Sequence, residues 1–132
     1  MIQFLLTQIG KLKALVSGIN SKTNVSAIKY PTVNLNRCTV YRGGLHKIGN
    51  AVFLSCVISS QHSATNSPKM LTLPDDCKPV AYTSISVAEA ANGDGANIEN
   101  VRTGFVDPDG GLYINTTENG KSYYLAGAWV NL

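Results

Sequence analysis

From Val33 to Leu132 the chain carries no helical period. Short runs rich in Val, Ile, Thr and Tyr occupy 36–42, 51–59, 80–88, 98–106, 112–116 and 122–131, with Gly, Pro, Asn and Asp between them. Such runs are strands, because β-branched and aromatic side chains suit a pleated surface and the punctuating residues suit turns. In 51–59 the row Val52, Leu54, Cys56, Ile58 alternates with a second row holding Phe53 and Val57, so both faces of that strand are partly apolar. That pattern belongs to the centre of a sandwich or to a strand under a subunit contact. Short strands at regular spacing predict a mainly β fold, an antiparallel sandwich of jelly-roll-like type, over 33–132.

The first twenty residues obey another rule. Ile2, Leu5, Ile9, Leu12, Val16 and Ile19 recur at spacings of three and four, the a and d positions of a heptad. Leu6 and Leu15 widen the stripe. A helix this short is marginal alone, so its seam needs a partner. The expectation is a helical, oligomerising neck over 1–22, a linker over 23–32 broken at Tyr30-Pro31, and the head beyond it. β-branched a positions with Leu at d favour two strands, whereas apolar e and g positions widen the buried face, so the residues leave dimer and trimer both open.

Charge narrows the partners. Asp, Glu, Lys and Arg make up 14% of the chain and the formal charge is +3. Lys11, Lys13, Lys22 and Lys29 stand singly, with no basic cluster among aromatics, so nucleic acid is not an expected partner. Asn, Ser and Thr carry the polarity instead and suit neutral, hydrogen-bonding ligands. The apolar start lacks a basic n-region, and Gly10, Lys11 and Lys13 interrupt it, so neither a signal peptide nor membrane insertion is expected.

Cys38, Cys56 and Cys77 are odd in number and, with His46 and His62, show no zinc-ligand spacing; buried free thiols are expected, with no metal and no cofactor. Residues 92–97 (Asn-Gly-Asp-Gly-Ala-Asn) lack the EF-hand spacing and read as a turn. Glu89, Asp94, Glu99, Asp107, Asp109 and Glu118 lie in or beside turn-like segments with no flanking residues that would tune a pKa. No Gly-x-Ser-x-Gly elbow occurs, and the expectation is a protein that is not an enzyme.

Three segments carry a resemblance. Gly49-Asn50-Ala51-Val52-Phe53-Leu54-Ser55 is followed by Leu73-Pro74-Asp75-Asp76-Cys77-Lys78-Pro79, then by Val106-Asp107-Pro108-Asp109-Gly110-Gly111-Leu112-Tyr113-Ile114. The chain closes on the aromatic strand 123–129. In this order they resemble the head domains of phage and prophage tail fibres and baseplate receptor-binding proteins. Cys77 stands where an aromatic residue is usual, which puts the local packing in question. The resemblance implies a homotrimeric β-sandwich head under a coiled-coil neck, recognising a saccharide of the bacterial cell surface. It also implies other tail or baseplate proteins as partners, a place in the virion, and assembly in the bacterial cytoplasm. A structural trimeric cap or connector without a ligand, and a C1q-like bacterial surface jelly roll, are the rival readings.

Sugars stack on aromatic rings while amides and carboxylates take their hydroxyls. The ligand-binding candidates are therefore Trp129, Tyr113 and Tyr123, with Tyr124 beside them, and the loop residues Asn97, Asp94, His62 and Asn66. For Trp129 a place in the core or an interface competes with a ligand role.

Overall fold

The computed structural model describes residues 2–23, 27–33, 37–92 and 97–132; the side chains of 16–23 lie outside that description. A helix α1 (Ile2–Thr23) precedes eight strands. These are β1 (Thr32–Val33), β2 (Cys38–Ile48), β3 (Ala51–Ser60), β4 (Lys69–Thr72), β5 (Thr83–Ala90), β6 (Ile98–Val106), β7 (Gly111–Ile114) and β8 (Ser122–Val130). The fold is mainly β. All eight strands join one antiparallel sheet in the order β1-β4-β7-β6-β5-β8-β3-β2, curled until it is nearly a barrel.

Side-chain alternation along the strands sends one row inward. Val52, Leu54, Cys56 and Ile58 on β3 face Trp129, Gly127, Leu125 and Tyr123 on β8, and Ile85 and Val87 on β5 complete the layer. Leu45, Met70, Leu71, Leu112 and Ile114 fill the other side of the core. Cys38, Cys56 and Cys77 are all free and buried. The Cys38 thiol donates to the Met70 carbonyl at 3.2 Å, and burial, with Cys38 nearby, pushes the Cys56 thiol up to about 11.

The open seam between the edge strands β1 and β2 is closed by the segment expected as a linker. Lys29 exchanges both backbone bonds with Leu45 of β2 at 2.8 Å, and three residues later Thr32 and Val33 pair with Thr72 and Leu71 of β4. One stretch of chain thus holds both edges. It lies so close to β2 that a Cβ on Gly44 would stand 2.6 Å from the Lys29 carbonyl oxygen. Arg37 adds a bond from its guanidinium to the Lys69 carbonyl at 2.9 Å.

Beside Leu45 lies the end at which the chain enters the barrel. The β2–β3 turn at Gly49-Asn50, residues 73–82 and the 107–110 hairpin share that end. There Lys29 forms an ion pair with Asp76 at 2.5 Å, and Gly110, at φ +90°, closes its turn by donating to the Asp107 carbonyl at 2.9 Å. Loops 61–68 and 115–121 gather at the far end, where β5 ends at Ala90 and β6 begins at Ile98.

α1 is continuous through Gly10 and spans about 33 Å at 1.5 Å per residue. Its large apolar side chains Ile2, Phe4, Leu5, Leu6, Ile9, Leu12 and Leu15 are 49–77% exposed. Val16 and Ile19 continue the helix, but their side chains lie outside the described residues. No helix among the described residues is long and apolar enough to cross a membrane.

Candidate functional site

The loop residues singled out in the sequence come together at the far end. His62 and Asn66 lie on the β3–β4 connection, and Asn97 begins β6's side of the β5–β6 hairpin; Asp94, in the same hairpin, falls outside the described residues. Two of the loops are fastened to each other. Ala64 and Thr117 exchange backbone bonds at 3.0 and 2.9 Å, Asn119 donates its N–H to Ser63 Oγ at 2.9 Å, and Gly120 donates to the Ser60 carbonyl at 2.9 Å. The His62 carbonyl accepts from both Ser60 Oγ (2.8 Å) and Thr117 Oγ1 (2.9 Å). Such cross-bracing makes a stiff platform from segments that have no ladder of their own. Within it His62 Nδ1 is buried without a hydrogen-bond partner. Lys121 and Glu99 form an ion pair on the rim at 2.7 Å.

Beneath the platform sits a charged group that the sequence reading placed near a turn. Glu89 is on β5, in the inward row of Ile85 and Val87, and is completely buried. Its register explains its partners, since Asn100 on β6 and Tyr123 on β8 stand directly opposite. Tyr123 Oη donates to Glu89 Oε2 at 2.5 Å and Asn100 Nδ2 to Oε1 at 2.8 Å. Arg102 gives two further bonds at 3.2 Å, from Nε and from its second terminal nitrogen. Burial pushes the Glu89 carboxyl up, but the bonds from Arg102, Tyr123 and Asn100 and the Arg102 charge outweigh it, so the group is held below the ordinary glutamate value. Burial first, then the bond to Glu89, pushes the Tyr123 phenol well above its ordinary value. With four donors on its two oxygens, Glu89 ties three strands together. The signal was present in the sequence: strict alternation from Ile85 puts residue 89 inside.

The aromatic candidates separate. Tyr123 is fully buried, with its hydroxyl also accepting from the Glu118 N–H at 2.8 Å, so no ring face meets solvent. Trp129 is 7% exposed and donates Nε1–H to the Cys77 carbonyl at 2.6 Å, at the entry end. Both are therefore core residues of this barrel and not platforms for a sugar. The Trp129 bond fixes the chain at Cys77. Tyr113 points outward on β7, but its ring stacks on Phe105 with centroids 4.8 Å apart and planes 12° apart, so each covers a face of the other. Tyr82 reaches Phe105 at 6.1 Å and keeps its ring exposed. The structure thus brings His62, Asn66 and Asn97 to one end, buries Tyr123 beneath that end and leaves Trp129 and Tyr113 elsewhere.

What the far end offers chemically is a braced surface of amides, hydroxyls and one imidazole. These groups donate and accept hydrogen bonds, beside the exposed Glu118 and the Lys121–Glu99 ion pair. Comparison with protein-family models, with curated proteins and with solved structures finds no match to this chain.

Proposed function

We propose that this chain is the head and neck of a homotrimeric phage or prophage tail fibre or baseplate receptor-binding protein. In this reading α1 is the neck, the barrel is a jelly-roll-like head, and the far-end loops meet a saccharide of the bacterial cell surface without catalysis. The observation that carries it is the exposure of α1: seven of its large apolar side chains are 49–77% exposed. Burying each would contribute about 1.5–3 kcal/mol, so several copies meeting along this stripe gain more than any single chain can. The order of the three sequence segments supports the tail-fibre assignment, and the braced loop carrying His62 and Asn66, with Asn97 at the same end, supports a hydrogen-bonding ligand. Other tail or baseplate proteins would hold the fibre in the virion.

A second reading is favoured by one observation. Trp129 and Tyr123 are buried and Tyr113 is stacked, so among the described residues none of these rings offers the aromatic platform that most saccharide sites use. A structural trimeric cap or connector needs no such platform. A glycan array and extracted bacterial envelope polysaccharides, probed with the intact chain, separate the two. Receptor binding predicts weak single sites strengthened by linkage, with competition by polysaccharide exceeding that by monosaccharide by a factor on the order of 10². It also predicts loss of binding in Asn97→Ala and His62→Ala variants. Absence of binding to any envelope glycan would leave the cap.

A further inference from the structure

We infer that Glu89, acting through the Tyr123 hydroxyl, holds the far-end loops in their binding arrangement only while its carboxyl is ionised, so that acid releases them and their saccharide. The inference rests on the reading of the far end as a saccharide site and adds the regulation of that site. Loop 115–121 is tied to strands at both ends: the Asn115 N–H donates to the Thr103 carbonyl at 2.9 Å, and the Lys121 carbonyl accepts from the Ser60 N–H at 2.8 Å. Its middle has another anchor. The Glu118 N–H donates to Tyr123 Oη at 2.8 Å, a bond that reaches down into the barrel interior. Thr117 and Asn119, on either side of Glu118, are the residues that bond to loop 61–68, at Ala64, His62 and Ser63. Whatever fixes residue 118 therefore also steadies the loop that carries His62 and Asn66.

The direction of each bond makes this anchor depend on charge. An ionised carboxylate only accepts hydrogen bonds, whereas a phenol gives one and accepts others. The bonds from Tyr123, Asn100 and Arg102 all run towards Glu89. Ionised Glu89 thus takes the Tyr123 proton and leaves the phenol oxygen's lone pairs to the Glu118 N–H. A proton on Glu89 needs an acceptor. Arg102 has none and Asn100 presents its NH2, so the phenol oxygen is the acceptor in place. The Glu89–Tyr123 bond then reverses, the phenol proton turns towards the Glu118 N–H, and two donors face each other. A buried donor without an acceptor is destabilising, so the middle of the loop lifts away.

The surroundings set the pH at which this happens. Arg102 faces Glu89 from β6 and Tyr123 faces it from β8. In the loop, Glu118 acts on Arg102, and Lys121 feels Glu89 while pairing with Glu99 of β6 on the rim. Burial pushes the Glu89 carboxyl up, but the bonds it accepts and the Arg102 charge hold it below the ordinary glutamate value. Burial, then the bond to Glu89, keeps the Tyr123 phenol protonated far above neutrality. The anchor is therefore set at neutral pH and is lost as pH falls through the lowered folded value of Glu89.

The test follows amide exchange of the full chain by NMR across pH, expressed as protection so that the intrinsic pH dependence of exchange divides out. The Glu89 carboxyl carbon records its own titration. In the parent the Glu118 amide should lose protection by about tenfold or more in step with Glu89, while Leu54 and Leu125 in the strands keep theirs. Glu89→Gln puts an NH2 where the carboxylate accepted, and Tyr123→Phe removes the hydroxyl; both should show the low Glu118 protection already at pH 7, with no step on acidification. The parent arm needs no substitution, so it decides even where a variant fails to fold. Binding of labelled bacterial envelope polysaccharide should weaken by about tenfold or more in both variants at pH 7. Glu118 protection that ignores the Glu89 titration, or that falls together with Leu54 and Leu125, would overturn the anchor. Polysaccharide bound equally by the parent and by a variant with a loosened Glu118 would overturn its control of the site. An anchor that titrates as stated in a protein that binds no envelope glycan would overturn the saccharide reading and leave the coupling of Glu89 to the loops standing.

Discussion

Replacing Arg102 with Met keeps the aliphatic stem and removes the counter-charge that faces the buried Glu89. The carboxylate then retains only the bonds from Tyr123 and Asn100, at 2.5 and 2.8 Å. Breaking a buried ion pair from one side costs about 3–5 kcal/mol. Arg102 itself is 23% exposed, so water screens it in part, and the lower end, about 3 kcal/mol at neutral pH, is expected. In urea, with a slope of about 2 kcal/mol/M, that is a midpoint lowered by about 1.5 M at fixed protein concentration and with the slope unchanged. The pH dependence makes the test specific. In the parent, Glu89 is held below its unfolded value, so its stabilisation is complete above about pH 4.3 and is lost as pH falls through the lower folded value. In the variant, burial is no longer outweighed by an adjacent charge, and the carboxyl protonates at higher pH. The deficit of the variant should therefore shrink as pH falls from 7 towards 4. A cost below about 1 kcal/mol, or one constant over that range, would refute the account of Glu89 as an ionised tie between three strands.

Three other outcomes follow from the same structure. Ile9→Asp places a charge in the middle of the α1 stripe and should weaken association by well over tenfold in sedimentation, with the β signal in circular dichroism retained. Gly44→Ala puts a methyl 2.6 Å from the Lys29 carbonyl oxygen, so the closing segment must move; a loss of about 1–3 kcal/mol in thermal or urea unfolding is expected, with faster amide exchange at Lys29 and Leu45. Cys38, Cys56 and Cys77 should resist alkylation at pH 8 until the protein unfolds, since all three are buried and the Cys56 thiol is pushed up to about 11.

The strands whose two rows differ in character were the legible ones. β3 and β8 were read within a residue or two of their ends, because Val52, Leu54, Cys56 and Ile58 and the run from Tyr123 to Trp129 alternate or stay apolar over nine or ten residues. β4 was missed: it is four residues long and follows Pro68, too short for a period to show. β2 was read as ending at Arg42 because Gly43-Gly44 looks like a break. In the barrel Gly43, at φ +82°, keeps the strand going where a Cβ would strike the Ser55 carbonyl, and Gly44 makes room for Lys29. Residues 23–32 read as a linker because Lys, Tyr and Pro there have no apolar row; the role of Lys29 and Thr32 depends on two edges that only tertiary structure brings together. At the candidate site the loops were legible from their Asn, Ser and Gly content. Whether an aromatic ring faces solvent or the core was not, since Trp129 and Tyr113 are decided by what lies across the barrel.

The place of β8 in the sheet sets the order in which this protein can be made. It is last among the strands in sequence, yet it lies between β3 and β5 and is paired on both sides over most of its length. Before it exists, the β2–β3 hairpin and the β5–β6–β7 ribbon each carry a long open edge, and Val52, Leu54, Ile85 and Val87 have no roof. Folding of the barrel therefore waits for synthesis of residues 122–130, and nascent chains on neighbouring ribosomes would display the same bare edges to one another. A ribosome that stalls before Ser122 would release two sticky half-sheets instead of a smaller head.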